Sequence, residues 1–353
     1  MTAIAPKVTI NDVARLANVN KSTVSRVLNR TSGVSLKTKA KVLNAVEQLD
    51  FIPNKSAQSL AKGFNGIIGV VYSEQEISEV TVNPYFSIAI KGISSFASKY
   101  GVNILLITAA GFDIKAYTEV IKGRAIDGLI INGSTGNRDL YRMLDHNGLP
   151  YVSIGNPEIG GTCHFIEFDD YEGGFLAADY LIRSGHRNIR LIVNPVRGKL
   201  LLHNRQRVAG FLNALSAAGL DPHDETIVYA PMGADESYKF LANYCRGREL
   251  DGLVISNEVT AIAALNALVR ENGLEVPRDM SLIAFGDRAS YGNIRPVYTR
   301  IDRDAEWTGR AAAEMLWKLI QNEELEGNSI LKRSGLVEGE TTRSRLADSL
   351  SSF

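Results

Sequence analysis

Lys21, Ser22, Ser25, Arg26 and Asn29 fall on one side of a short segment whose Val24, Val27 and Leu28 fall on the other. Cations, hydroxyls and an amide spaced along one helical face can bond to base edges and phosphate oxygens. Residues 1–63 carry ten basic side chains against three acidic ones, a net +7. The whole chain is formally neutral, so the remainder carries −7. A basic head on an acidic body is the electrostatic footprint of a phosphate binder. Charge runs are more often plain solvated helix faces. Here, however, they coincide with a folding pattern that presents them.

That pattern is three helices. Thr9 occupies an N-cap position with Asp12 three residues on, close to a capping box. Val13, Leu16 and Ala17 then follow on one face. Asn18 breaks the periodicity, and Asn20 offers a second N-cap for a helix running through Leu28. Ser35 caps a third helix, whose Val42, Leu43, Val46 and Leu49 complete a small core. A helix-turn-helix needs this layout, with the second helix offering its N-terminal polar residues to base edges.

After the head the character changes. Gly63, Phe64, Asn65 and Gly66 read as a flexible joint, followed by the apolar run I-I-G-V-V-Y at 67–72, suited to a buried parallel strand. Amphipathic and apolar segments then alternate: helix at 88–100, strand at 103–108, helix at 116–123, strand at 128–132. R-A-I-D-G-L-I-I-N at 124–132 is echoed by R-E-L-D-G-L-V-I-S at 248–256. More loosely, 101–107 is answered by 186–192. Two similar α/β halves are expected, each a twisted parallel sheet between helices. Ligands of such sheets bind outside the carboxyl ends of the strands, so two facing halves make a cleft.

The head resembles the DNA-binding headpiece of the lactose-repressor (LacI/GalR) family of bacterial transcription regulators. The matches are D-V-A-x-x-A-x-V-x-x-x-T-V-S-R-V-L-N at 12–29, V-S-x-x-T at 34–38 and I-P-N-x-x-A-x-x-L-A at 52–61. The body resembles the same family's effector core, itself related to periplasmic sugar-binding proteins. It does so through N-P-Y-F (83–86), G-H-R-N-I (185–189), R-x-x-G-F (207–211), S-N-E (256–258), V-P-x-D-x-S-L-I-A-F-G-D (276–287) and E-G-E-T-T-R (338–343). The implied fold class is an all-α helix-turn-helix headpiece plus an α/β core of two doubly wound parallel-sheet subdomains, periplasmic-binding-protein-like. The expected organisation is a DNA-binding domain over 1–53, a hinge helix over 54–63, a core over 64–345 and a tail over 346–353. Within the core, 66–164 plus 295–327 form one subdomain and 165–294 plus 328–345 the other.

The resemblance also implies roles. Lys21, Ser22 and Arg26 would read major-groove base edges, and Thr9, Ser25, Asn29, Ser35 and Thr38 would position the domain on phosphates. In the hinge, Asn54 would cap the helix, Ala57 would let two paired hinges approach, and Gln58 would touch the minor groove or a phosphate. Leu60 would wedge open a central base step, its plain alternative being a core leucine. Tyr85 and Phe86 would stack on an effector or simply pack in the core, while Arg207 and Asn257 would bind it. The family's usual acid or amide after the last cleft aromatic is Gly286 here, leaving Asp287 as its possible replacement. Leu200, Leu201, Leu202 and His203 give Arg207 an apolar approach. Asp169 and Asp170 stand near the family's D-N pair. The expected partners are double-stranded, pseudo-palindromic operator DNA, a small sugar-like effector and a second copy of the chain, since one headpiece reads one half-site.

Other chemistries find no pattern. Cys163 and Cys245 are far apart with no C-x-x-C, and the five histidines lack ligand spacing. There is no G-x-S-x-G, Walker loop or G-x-G-x-x-G after a first strand. Gly133–Gly136 reads as a plain cleft loop. No catalytic role, cofactor or metal is expected. Without an apolar signal core or spanning segment the expected location is the cytoplasm. The tail lacks leucine heptads for a tetramerising coiled coil. A regulator accounts for the whole chain; a solute-binding receptor would explain the body but not the basic head.

Overall fold

The computed structural model describes residues 8–28, 33–51, 64–73, 84–109, 114–133, 138–159, 163–196, 198–292 and 294–346. The chain divides into two compact units, residues 1–65 and 66–353.

The first unit contains α1 (Ile10–Ala17), α2 (Lys21–Leu28) and α3 (Leu36–Gln48). The Asp12 carboxylate accepts the Thr9 amide at 2.9 Å and the Thr9 hydroxyl at 2.6 Å, fixing the start of α1. Asn18 ends that helix in the left-handed region at φ 51°, a conformation Asn tolerates better than most residues, and the chain turns directly into α2. Val13, Ala14, Ala17, Val24, Val27, Val42, Ala45 and Phe51 form the core. Leu16 and Leu43, expected inside, are 48% and 46% exposed. Ala14 and Ala45 take inward positions instead.

The second unit holds two six-stranded sheets. Its elements in chain order are β1 (Ile67–Ser73), α4 (Tyr85–Tyr100), β2 (Asn103–Ala109), α5 (Ile114–Lys122), β3 (Gly128–Asn132), α6 (Arg138–Asn147), β4 (Tyr151–Ile154), β5 (Phe165–Phe168), α7 (Asp170–Arg183), β6 (Ile189–Val193), α8 (Leu202–Ala217) and β7 (Ile227–Tyr229). Then follow α9 (Ala234–Cys245), β8 (Gly252–Ile255), α10 (Glu258–Arg270), β9 (Ser281–Gly286), α11 (Arg288–Tyr291), β10 (Thr299–Asp302), α12 (Ala305–Ile320), β11 (Ser329–Lys332) and β12 (Gly335–Val337). One sheet runs β11-β5-β4-β3-β1-β2, the other β12-β10-β9-β8-β6-β7. All pairings are parallel except β12 on β10. The inner strands of the second sheet are buried on both faces, as their unbroken apolar runs require.

The internal repeat is structural. Gly128 opens β3 opposite Ile68, and Gly252 opens β8 opposite Ile189, so the two D-G-L strands hold equivalent central places. The preceding aspartates do the same work: Asp127 accepts the Ile67 amide at 2.9 Å, and Asp251 accepts the Arg187 and Asn188 amides at 2.8 and 3.0 Å. The looser echo does not hold, since β2 is an edge strand whose counterpart is β7, whereas β6 lies inside. The expected subdomain limits also shift. β5 (165–168) joins the first sheet, β10 (299–302) the second, and β11 (329–332) the first again. The chain therefore crosses between lobes near 169, 303 and 333, because each crossing strand completes its ladder before leaving the sheet.

Candidate functional site

In the first unit, burial of Val24 and Val27 fixes α2 so that Lys21, Ser22 and Arg26 are exposed and Ser25 is partly so. Between α2 and the start of α3 lies an open groove of about 410 Å³, with Asn20, Thr23, Arg26, Val34, Ser35 and Thr38 in its walls. Ser35 accepts the Thr38 amide at 3.2 Å, and the two hydroxyls stand 2.9 Å apart. No acidic residue occupies the first turn of α3, so its amino end keeps the positive potential that favours phosphate. Arg26, Ser35 and Thr38 thus share one groove, and Thr9 is exposed at the amino end of α1. Asn29 and the hinge residues Asn54, Ala57, Gln58 and Leu60 lie outside the described residues.

In the second unit, charged and aromatic groups gather at the carboxyl ends of β5, β6, β8, β9 and β10, where doubly wound sheets bind ligands. Close packing of α7 and α8 sets the centre. A methyl on Gly174 would collide with the Arg207 backbone, and one on Gly210 with that of Tyr171 and Phe175. This approach brings Arg207, 1% exposed, onto Asp170, 5% exposed. Arg207 Nε and Nη2 stand 2.8 and 2.6 Å from Asp170 Oδ1, and Nη1 donates to the Ser256 carbonyl. The guanidinium also stacks 4.1 Å from the centre of the Phe285 ring. Burial alone would raise the Asp170 carboxyl, but Arg207 and Arg303 outweigh it and hold the group below the usual carboxylate range. Burial, with Arg207 adding to it, pushes the imidazole of His203 down to about 3, so that it is neutral at physiological pH.

Tyr85 and Phe86 are both buried and meet edge to face, with centroids 6.4 Å apart. Tyr85 carries the Arg303 guanidinium 4.3 Å above its ring. Asn257 and Asp287, expected to bind effector, both hold loop backbone beside the cluster. Asn257 caps α10 through the Thr260 amide at 2.9 Å and donates to Asn194. Asp287 accepts the Ala289 amide at 2.8 Å and the Ala305 amide at 2.9 Å, tying the end of β9 to the start of α12. Gly286 makes room for Glu258: a methyl there would come within 2.8 Å of the glutamate's carboxyl carbon. Burial raises the Glu258 carboxyl, with Arg303 opposing.

Sequence reasoning placed Arg207, Tyr85 and Phe86 in this cluster but missed Glu258 and Arg303, and left Asp170 and His203 without a role. The departure at Gly286 was the available signal for Glu258. Nothing marked Arg303, which reaches the site only through the crossing after β10. Among the described residues no helix is long and apolar enough to cross a membrane.

Such a headpiece, joined to a two-lobed body with a charged cluster at its strand ends, defines a ligand-responsive DNA-binding regulator. Residues 9–54 match the bacterial regulatory proteins of the lacI family, and residues 178–342 match a periplasmic binding protein-like domain. The chain is 29% identical over 324 residues to the HTH-type transcriptional regulator CelR of Thermobifida fusca, covering 90% of this chain and 93% of that one. It is 28% identical over 322 residues to the HTH-type transcriptional repressor PurR of Vibrio campbellii, with the same coverage. Its fold superimposes on the Lac repressor dimer bound to operator and the anti-inducer ONPF, with a TM-score of 0.81 and 25% identity over 96% of this chain and 100% of that one. The protein belongs to the LacI family: it is a DNA-binding transcription regulator with an effector-binding domain, not an enzyme.

Proposed function

We propose that the protein is a repressor of a carbohydrate-utilisation operon, binding a pseudo-palindromic operator as a homodimer in the cytoplasm. A sugar or sugar derivative in the core cleft sets its affinity for DNA. The observation that carries this reading is the buried Arg207–Asp170 pair with the Phe285 ring against it at the strand ends. A fixed guanidinium and carboxylate offer donors and acceptors to vicinal hydroxyls, and aromatic faces suit the apolar face of a pyranose. On the DNA side, Lys21, Ser22 and Arg26 read bases, while Thr9, Ser25, Asn29, Ser35 and Thr38 grip phosphates. In the hinge proposed over 54–63, Asn54 caps the helix, Ala57 lets two paired hinges approach, Gln58 touches the minor groove or a phosphate, and Leu60 wedges open a base step. The relatives' printed names support repression and operator binding, and one solved relative holds the anti-inducer ONPF.

The coupling is reciprocal: whatever factor effector imposes on operator affinity, operator imposes on effector affinity. A thermal-shift panel of sugars, sugar derivatives, nucleobases and organic acids identifies the effector, because binding to the folded state alone raises the melting temperature. The active compound is then added to an operator-binding assay. A sugar-class compound that shifts both melting and operator affinity supports the reading. A nucleobase acting alone contradicts the carbohydrate assignment.

A further inference from the structure

Arg303 differs from every other cation near the cluster. It follows β10 in the segment that crosses between lobes, its guanidinium 4.3 Å from the centre of Tyr85 and 5.8 Å from that of Phe168. Its Nε is buried without a hydrogen-bond partner, and no carboxylate among the described residues forms an ion pair with it. The two acids whose fields reach it are otherwise engaged. Asp170 is held by Arg207. Glu258 fills the space over Gly286, its Oε1 turned to the Asp287 amide at 3.4 Å. Its sequence neighbours are engaged as well, Asp302 with Arg300 and Asp304 with Lys332. Burial would lower the value of the half-buried guanidinium, but Tyr85, Asp170 and Glu258 outweigh it and keep the group charged. A cleft cation that no carboxylate directly bonds is a place where a ligand's acidic group can dock.

We propose that Arg303 is the receptor for an acidic group on the effector, so that the ligand is a carboxylate- or phosphate-bearing sugar derivative rather than a neutral sugar. The planar guanidinium offers paired donors to a carboxylate or phosphate oxygen edge. Arg207 and Asp170 are left for the ligand's hydroxyls. This proposal rests on the reading of the cluster as the effector site.

The test uses the full-length protein and its Arg303→Gln and Arg303→Lys variants in two arms. Without ligand, Arg303→Gln should melt within about 2 °C of the wild type, because no direct ion pair is lost with the charge. A larger fall would show that Arg303 is internally paired and overturn the proposal. In the second arm, melting is followed with D-gluconate, D-glucuronate, D-glucose 6-phosphate and neutral D-glucose. At least one acidic probe should give a saturable rise that weakens about tenfold or more in Arg303→Gln and is partly kept in Arg303→Lys. The acids and the phosphate separate the two sources of negative charge. Binding of D-glucose alone, equal binding by wild type and Arg303→Gln, or no response to any acidic probe would overturn the proposal. Operator binding by the ligand-free protein is measured alongside. Its presence keeps the regulator reading standing when the acidic-ligand proposal fails, and its absence removes both.

Discussion

The two functional regions of this chain use side chains in opposite ways. In the headpiece, Lys21, Ser22 and Arg26 are exposed, and the fold rests on other residues, namely Val13, Ala14, Val24, Val27 and Val42. In the core, Arg207, Asp170, Glu258 and Tyr85 are buried, and their ion pair, hydrogen bonds and ring contacts form the candidate site. Recognition of a phosphate-lined partner needs charge in water, where it costs the fold little. Recognition of a small ligand needs charge removed from water, where each group must be matched. DNA specificity in this protein is therefore separable from stability, and effector specificity is not.

The largest test of that contrast is Arg207→Ala. It leaves Asp170 buried without its partner and should cost about 3–5 kcal/mol of stability in denaturant titration, together with all response to effector. A loss below about 1 kcal/mol, the value of an exposed pair, would erase the distinction between the two regions.

His203 gives the next effect. Its folded value of about 3 lies below the ordinary histidine value, so the unfolded chain binds the proton more readily between those limits. Its stabilising contribution is complete above about pH 6.5 and is lost as pH falls toward 3. Between pH 7 and pH 5 the loss approaches about 2 kcal/mol, and His203→Gln should flatten that part of the stability profile. An unchanged profile would place the imidazole in water.

Arg26→Ala moves binding without moving stability. Operator affinity should fall by about 1–3 kcal/mol, with preference relaxed at one position of each half-site. The denaturation midpoint should imply a change within about 0.5 kcal/mol. Equal loss on every DNA sequence would reduce Arg26 to a phosphate contact. The smallest effect is Thr9→Ala, which removes the cap of α1 for about 1 kcal/mol. Like Ser35, it is a headpiece position where a DNA role and a folding role overlap, and its calorimetric shift measures how far they do.

The contrast also explains what could be read from the chain. Headpiece signals are local: Thr9 with Asp12, Asn18 and the three-residue spacing of Val24 and Val27 each belong to a single helix or its ends. The errors there, Leu16 and Leu43, arose because helical spacing does not reveal how closely neighbouring helices approach. The D-G-L repeat was legible because Asp127 and Asp251 pin equivalent strands. The cleft was only half legible. Arg207 stands in a recognisable motif, but its union with Asp170 depends on α7 and α8 meeting at Gly174 and Gly210. Arg303 enters through a lobe crossing that the resemblance implied several residues earlier. Asn257 and Asp287 have suitable chemistry, and the backbone amides they also hold could not be read from the sequence.

The central claim is that this chain reads a symmetric DNA site. The most direct measurement is selection of bound duplexes from a random pool by the full-length protein, followed by salt-dependent titration of the enriched sequence. The account predicts a pseudo-palindrome whose tight, salt-sensitive binding loses its preference at one base pair per half-site in Arg26→Ala. Failure to enrich any symmetric sequence, with binding that is weak and equal on all duplexes, would contradict it.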